Sequence, residues 1–170
     1  MQRIFDHPRL VPGLIVLACL AIVGVAYASQ VFGGLKPCVL CIYQRYGYGV
    51  AGAFGVLGLL FGAAPGWRRL FVALAGLGFL GVTALAAFHV GVEQLWWEGT
   101  PGCHAPELDP NASLEELRQQ LLNTDFVACD QIAWYLFGIS MAGYNVLVSL
   151  VLAVLSFWAA LRMSMKGRAA

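Results

Sequence analysis

Four long stretches of this chain carry no charge or a single one. Val11 to Phe32 has no charged residue, and Ile42 to Phe61 has only Arg45. Leu70 to Val92 holds His89 as its one ionisable polar group, and Ile132 to Leu161 is uncharged. A bilayer crossing needs about 20 apolar residues, so each stretch is long enough to span. The spans are expected at about 11–32, 42–61, 70–92 and 132–161, the last long enough to tilt or to begin outside the hydrocarbon. A cleaved signal peptide is the rival reading of the first, with Ala26-Tyr27-Ala28 as a cleavage mimic. The run is longer than a signal core of about 7–15 residues. The expected fold is all-α: one integral membrane domain over 1–170, a four-transmembrane-helix bundle. Its outer loops are 33–41 and 93–131, and Ala63 to Arg69 forms a tight basic turn between spans two and three.

Composition supports this. Hydrophobic residues make up 60% and charged residues 11%, against about 45–50% and about 25% in ordinary globular chains. The distribution of cations gives the orientation. Arg3, Arg9, Arg68, Arg69, Arg162, Lys166 and Arg168, seven of the ten basic residues, fall on one side of a four-span layout. Basic residues mark the cytoplasmic side, so both termini are expected there. Lys36, Arg118 and Arg45 go to the opposite face, and so do Cys38, Cys41, Cys103 and Cys129. In a bacterium that face is the periplasm, where disulfides persist. The cations alone sorted the loops, so the cysteines agree independently. Nothing points to nucleic acid.

Cys38-Val39-Leu40-Cys41 opens the second span, and Arg45 follows Cys41 by four residues, on the same helical face. A helix N-terminus and a nearby guanidinium both favour a thiolate, and this expectation falls on Cys41. Four outer cysteines allow three pairings, and sequence does not choose among them. Zinc is an alternative, with Cys103, His104 and Cys129 completing a Cys38–Cys41 half-site, but an oxidising side disfavours free thiolates, and no metal is expected. Ile42 after Cys41 excludes the Cys-x-x-Cys-His of c-type haem. Within the long loop, Ser113-Leu114-Glu115-Glu116 reads as a capping box. Leu114, Leu117, Leu121 and Leu122 then recur at helical spacing, which predicts a short amphipathic surface helix. It lies between Cys103 and Cys129, and Pro101, Pro106 and Pro110 keep its approach irregular. A bridge joining these cysteines would be exposed and open to attack by a partner thiol.

An ionisable residue inside a span is a functional candidate, which singles out His89, with Glu93 one turn on. Buried satisfaction within the bundle is the bland alternative for His89, as snorkelling is for Arg45. Cys19 reads as inert packing. Gly52, Gly55, Gly58 and Gly62 read as helix-packing positions. Gly76-Leu77-Gly78-Phe79-Leu80-Gly81 imitates a dinucleotide fingerprint but lies mid-span with no strand before it. Asn111-Ala112-Ser113 is a weak sequon. Trp96, Trp97 and Trp134 suit an interfacial belt.

Taken together, Pro37-Cys38-Val39-Leu40-Cys41-Ile42-Tyr43-Gln44-Arg45, the four-span layout, Cys103 and Cys129 in the second outer loop, and Trp134 with Gly138-Ile139-Ser140-Met141 resemble the bacterial DsbB family over nearly the whole chain. The DsbA–DsbB–quinone relay keeps the periplasm oxidising. The resemblance implies a quinone-dependent thiol oxidase of the bacterial inner membrane. A DsbA-type thioredoxin-fold protein would attack a Cys103–Cys129 disulfide at Cys103. Cys129 would then attack Cys38 or resolve the complex directly, and Cys41 would emerge as a thiolate facing ubiquinone or menaquinone. It also implies that Arg45, His89, Met141 and Gln44 line the quinone pocket. Gln44 stands where some members carry an acid, and Glu93 where a glutamine is common. Two rivals remain: a vitamin K epoxide reductase-like enzyme, in which the Cys-x-x-Cys is expected near the last span, and a non-enzymatic membrane protein stabilised by disulfides or zinc.

Overall fold

The structure, a computed structural model, describes residues 9–103, 113–115, 118–119 and 127–166. Its long helices are α1 (Leu10–Gly33), α2 (Val39–Phe61), α3 (Pro65–Glu93) and α4 (Met141–Lys166). A 3-10 turn at Pro101–Cys103 and a small hairpin, β1 (Tyr135–Leu136) and β2 (Ile139–Ser140), lie between α3 and α4.

Local chemistry sets the helix ends. α1 stops at Gly34, which takes φ 65° and bonds back to the Ser29 carbonyl; glycine reaches that left-handed conformation without steric cost. Cys38 is extended at the entrance to α2, and its Sγ accepts the Cys41 N–H at 3.4 Å. A sulfur thus occupies the place of the usual capping oxygen. Pro65 stands at the start of α3, where its fixed φ suits the first helical turn. The basic turn is therefore shorter than the sequence suggests, because Arg68 and Arg69 already lie in the helix.

The fourth span differs most from expectation. The uncharged run begins at Ile132, but α4 begins only at Met141. Phe137 and Gly138 both have positive φ, 50° and 78°, and turn the chain between β1 and β2, with Tyr135 paired to Ser140 and Leu136 to Ile139. Such a two-residue turn matches the twist of a hairpin. Ser140 then caps α4, its Oγ accepting the Gly143 N–H at 3.1 Å. Hydropathy does not separate an uncharged hairpin from an uncharged helix.

In the bundle α3 packs between α2 and α4, and α1 packs on α2. The approach is close where residues are small. Gly47 lies against Val82, Gly58 lies on Pro12, and a Cβ on Gly55 would come 2.9 Å from Val16. Tyr48, Val72, Ala75, Phe79 and Ala153 fill the centre. Hydroxyls tie helices together, as where Thr83 donates to Ser149 at 2.9 Å. The exterior is apolar, with Leu17, Leu20, Val31, Val151 and Val154 all exposed. A surface of that kind belongs in lipid, not water.

α1, α3 and Met141–Met163 of α4 are long and apolar enough to cross a membrane, so the protein is a multi-pass membrane protein. α2 has the length, but its first turns carry Tyr43, Gln44, Arg45, Tyr46 and Tyr48, which lower its hydropathy. In the long loop Leu114, Glu115, Arg118 and Gln119 are helical and exposed. The remainder of the expected amphipathic helix, including Glu116, Leu117, Leu121 and Leu122, lies outside the described residues.

Candidate functional site

The Cys-x-x-Cys pair spans the entrance and first turn of α2. Cys38 and Cys41 face each other with their Sγ atoms 2.9 Å apart. The sequence points to Cys41 as the sulfur favoured by the helix N-terminus, but the structure gives that position to Cys38. It accepts the Cys41 N–H and lies 3.5 Å from His89 Nε2. The hydrogen bond from the Cys41 thiol, followed by the contacts from His89, holds the Cys38 thiol far below its ordinary range, at about 4, against the opposing effect of burial.

His89 comes from the last turns of α3 and is buried. Its Nε2 is also 3.2 Å from the carbonyl oxygen of Cys129. A carbonyl only accepts, so Nε2 carries the proton and Nδ1 accepts. That polarity passes through three further groups. Gln44 Nε2 donates to His89 Nδ1 at 3.1 Å, and Asn145 Nδ2 donates to Gln44 Oε1 at 2.6 Å. Tyr48 OH closes the chain by donating to Asn145 Oδ1. Every member finds a partner, as buried polar groups require, and the chain links α2, α3 and α4. Its polarity is assigned from bonding logic.

The second pair arrives through two turns. Leu95 adopts φ 58° after α3, and Trp97 folds back onto the helix, stacking on Phe88 and donating Nε1–H to the Phe88 carbonyl at 3.0 Å. The Trp97 ring fills the space that a side chain on Gly91 would need. The chain then reaches Cys103, which is bonded to Cys129. This disulfide is not exposed as expected: Cys103 is 6% and Cys129 1% accessible. Both pack with Cys38, Leu40 and Val92 in one cluster. The described ends of the loop fold inward because that cluster is apolar.

Beside the two pairs is a cavity of about 410 Å³. Cys38, Cys41, Gln44, Arg45, His89 and Met141 all line it, as do Glu93 and Asn145. Its size lies in the range of small-molecule sites, about 300–1,000 Å³. Arg45 is held by α1, donating to Gln30 Oε1 at 2.9 Å and to the Ala26 carbonyl at 3.3 Å, with its guanidinium over the Tyr27 ring. Glu93 accepts from Ser140 Oγ, which ties the end of α3 to the start of α4.

The structure therefore gathers all eight sequence candidates around one cavity and one cysteine cluster. It adds Asn145 and Tyr48, which the sequence reading passed over. Asn145 had a signal: it is an amide in the uncharged fourth stretch, where polar groups are costly unless paired. Cys103 and Cys129 are bonded to each other and so do not complete a Cys38–Cys41 zinc half-site in this state; His104, the other ligand offered, lies outside the described residues.

A family model described as "Disulfide bond formation protein DsbB" matches residues 8–159. The chain belongs to the DsbB family. Disulfide bond formation protein B of Dechloromonas aromatica (strain RCB) is 40% identical over 144 residues, covering 78% of this chain and 79% of the relative. The protein of the same name from Marinobacter nauticus is 30% identical over 162 residues, covering 91% and 92%. That from Acinetobacter baylyi is 31% identical over 160 residues, covering 91% of each. No solved structure gives a significant match. Family membership makes this a membrane disulfide oxidoreductase.

Proposed function

We propose that the protein is a quinone-dependent thiol oxidase of the bacterial inner membrane that reoxidises a DsbA-type periplasmic thioredoxin-fold protein. The supporting observation is the meeting of two cysteine pairs around one imidazole, with one pair lining a cavity. A partner thiolate attacks Cys103 and forms a mixed disulfide, and Cys129 leaves with the electron pair. Cys129 attacks Cys38 of an oxidised Cys38–Cys41 pair, and Cys41 leaves as thiolate. The partner's second thiol releases Cys103, and the Cys103–Cys129 bond re-forms as Cys38 is released. The net result is an oxidised partner and a reduced Cys38/Cys41 pair. Exchange of this kind needs an attackable sulfur and a stabilised leaving thiolate.

A quinone, when bound, accepts two electrons and two protons. The largely apolar cavity with a few convergent polar groups fits a ring of that chemistry. Cys41, Arg45, His89, Met141 and Gln44 are the residues that would hold it. Arg45, braced by Gln30 and Ala26, supplies positive charge beside Cys41. His89 keeps Cys38 and the Cys129 segment in register.

In this reading α2 crosses the bilayer with the other three helices. Both termini are cytoplasmic, following the basic residues, and the cysteine pairs are periplasmic. The test is reconstitution of purified protein with ubiquinone or menaquinone and a reduced thioredoxin-fold substrate. Cys41→Ser is expected to stop quinone reduction, and Cys103→Ser to stop attack by the partner. Quinone reduction that survives Cys41→Ser would sink the assignment.

A further inference from the structure

Cys38 Sγ, Cys41 Sγ and His89 Nε2 lie within 4.8 Å of one another. Two soft sulfurs and an imidazole are a donor set for a thiophilic cation. Zinc bonds of about 2.3 Å to sulfur and about 2.0–2.1 Å to nitrogen, set tetrahedrally, give a sulfur–nitrogen edge of about 3.5 Å and a sulfur–sulfur edge of about 3.8 Å. Cys38 Sγ and His89 Nε2 already stand 3.5 Å apart. The two sulfurs, at 2.9 Å, have to open by roughly 1 Å to match that edge. Cys41 is the less buried of the two and borders the cavity, which offers a route in and room for water as a fourth ligand.

We propose that the reduced protein binds one zinc-like divalent cation through Cys38 Sγ, Cys41 Sγ and His89 Nε2. No electrons move. Each sulfur that enters as a thiol loses its proton to water, and two metal–sulfur bonds and one metal–nitrogen bond form. His89 has to present a lone pair at Nε2, so its proton moves to Nδ1. Gln44 then turns its carbonyl oxygen toward His89 and its amino group toward Asn145, and Asn145 turns in the same sense. Amide ends occupy nearly the same space, so these positions serve either polarity. A ligating imidazole whose other N–H is held by an acceptor is the usual arrangement at zinc.

Two consequences follow. The hydrogen bond from His89 to the Cys129 carbonyl is given up, which uncouples the two cysteine pairs. The dithiol is also held reduced, because sulfurs bonded to the ion do not close a disulfide until it leaves. The site is therefore a zinc-sensitive brake on the redox pair. This does not depend on which oxidant the protein uses, since it concerns only the reduced pair and His89.

The test uses the full chain in detergent with Cys103→Ser and Cys129→Ser, reduced and freed of reductant, and titrated with cadmium. A thiolate-to-cadmium ultraviolet band is expected to saturate at one ion per chain and to be displaced by zinc. Cys41→Ser is expected to abolish it. His89→Ala is expected to weaken affinity by at least about tenfold, since even outer partners of zinc ligands cost about 10–100-fold. His89→Cys, which restores a soft donor, is expected to regain it. One equivalent of zinc is expected to slow oxidation of the pair by diamide. Absence of a saturable band overturns the proposal, and so does an affinity unchanged in His89→Ala. Quinone and partner protein are absent from the titration, so neither result bears on the oxidase reading.

Discussion

His89 Nε2 reaches the carbonyl oxygen of Cys129, forty positions along the chain, at 3.2 Å. The same nitrogen stands 3.5 Å from Cys38 Sγ. One N–H therefore touches both cysteine pairs. Replacing it by His89→Leu removes that link while filling similar space. Hydrogen bonds of this kind contribute about 0.5–1.5 kcal/mol, and positioning errors cost rate further. On the proposed oxidase reading, electron transfer from the loop pair to Cys38–Cys41 is expected to slow by about tenfold or more, measured by rapid acid quench and thiol alkylation. An unchanged rate would show that packing alone aligns the pairs.

Asn145 supports Gln44, which supports His89. Asn145→Leu leaves the Gln44 carbonyl without its donor and Tyr48 without its acceptor. A buried polar group deprived of its partner costs about 1–3 kcal/mol. Thermal unfolding in detergent is expected to show a loss of that size. Tyr48→Phe, which removes the outermost member and leaves only Asn145 Oδ1 without its donor, is expected to cost less. Equal losses would contradict the ordered chain.

Cys38 offers a pH signature. Its thiol is held at about 4 by the Cys41 thiol and then by His89, so the thiolate persists as pH falls and is lost only near that value. Alkylation of Cys38 in the reduced protein is expected to stay nearly flat from about pH 8 to about pH 5, where an ordinary thiol with pKa of about 8.5 would slow tenfold per unit. In Cys41→Ala the fall is expected at higher pH, because the first donor is gone. Mass mapping of the labelled peptide assigns the profile. An ordinary thiol profile for Cys38 would show that Cys41 and His89 do not stabilise its thiolate.

Gly91 makes room for the Trp97 ring. Gly91→Ala drives a methyl into the indole and is expected to cost about 1–3 kcal/mol, as overpacking does. Trp97 is also expected to lose its stack on Phe88, and a redshift in tryptophan emission would report it. Gly81→Ala, on the same helix with open space around it, is the matched control and is expected to be close to neutral.

The long apolar runs were legible because a bilayer demands about 20 such residues, and α1 and α3 fall within a few residues of expectation. The Cys-x-x-Cys pair, Arg45 and His89 were legible because ionisable and redox groups stand out in an uncharged background. The hairpin before α4 was not. Phe137 is an unusual residue for positive φ, and nothing in its neighbours' polarity marks a turn. The capping role of Cys38 was missed because thiols are seldom read as caps. The burial of Cys103 and Cys129 was missed for a different reason. Their flanks are polar and proline-rich, and only tertiary packing against Leu40 and Val92 draws them inside.

That inward placement of the Cys103–Cys129 bond has a consequence for discrimination among donors. A small free thiol diffusing past this end of the bundle meets covering side chains before it meets sulfur. On the proposed oxidase reading, a protein partner that displaces the packing around Cys103 and Cys129 would expose the bond as it docks. Choice of reductant would then be governed by grip rather than by thiol chemistry.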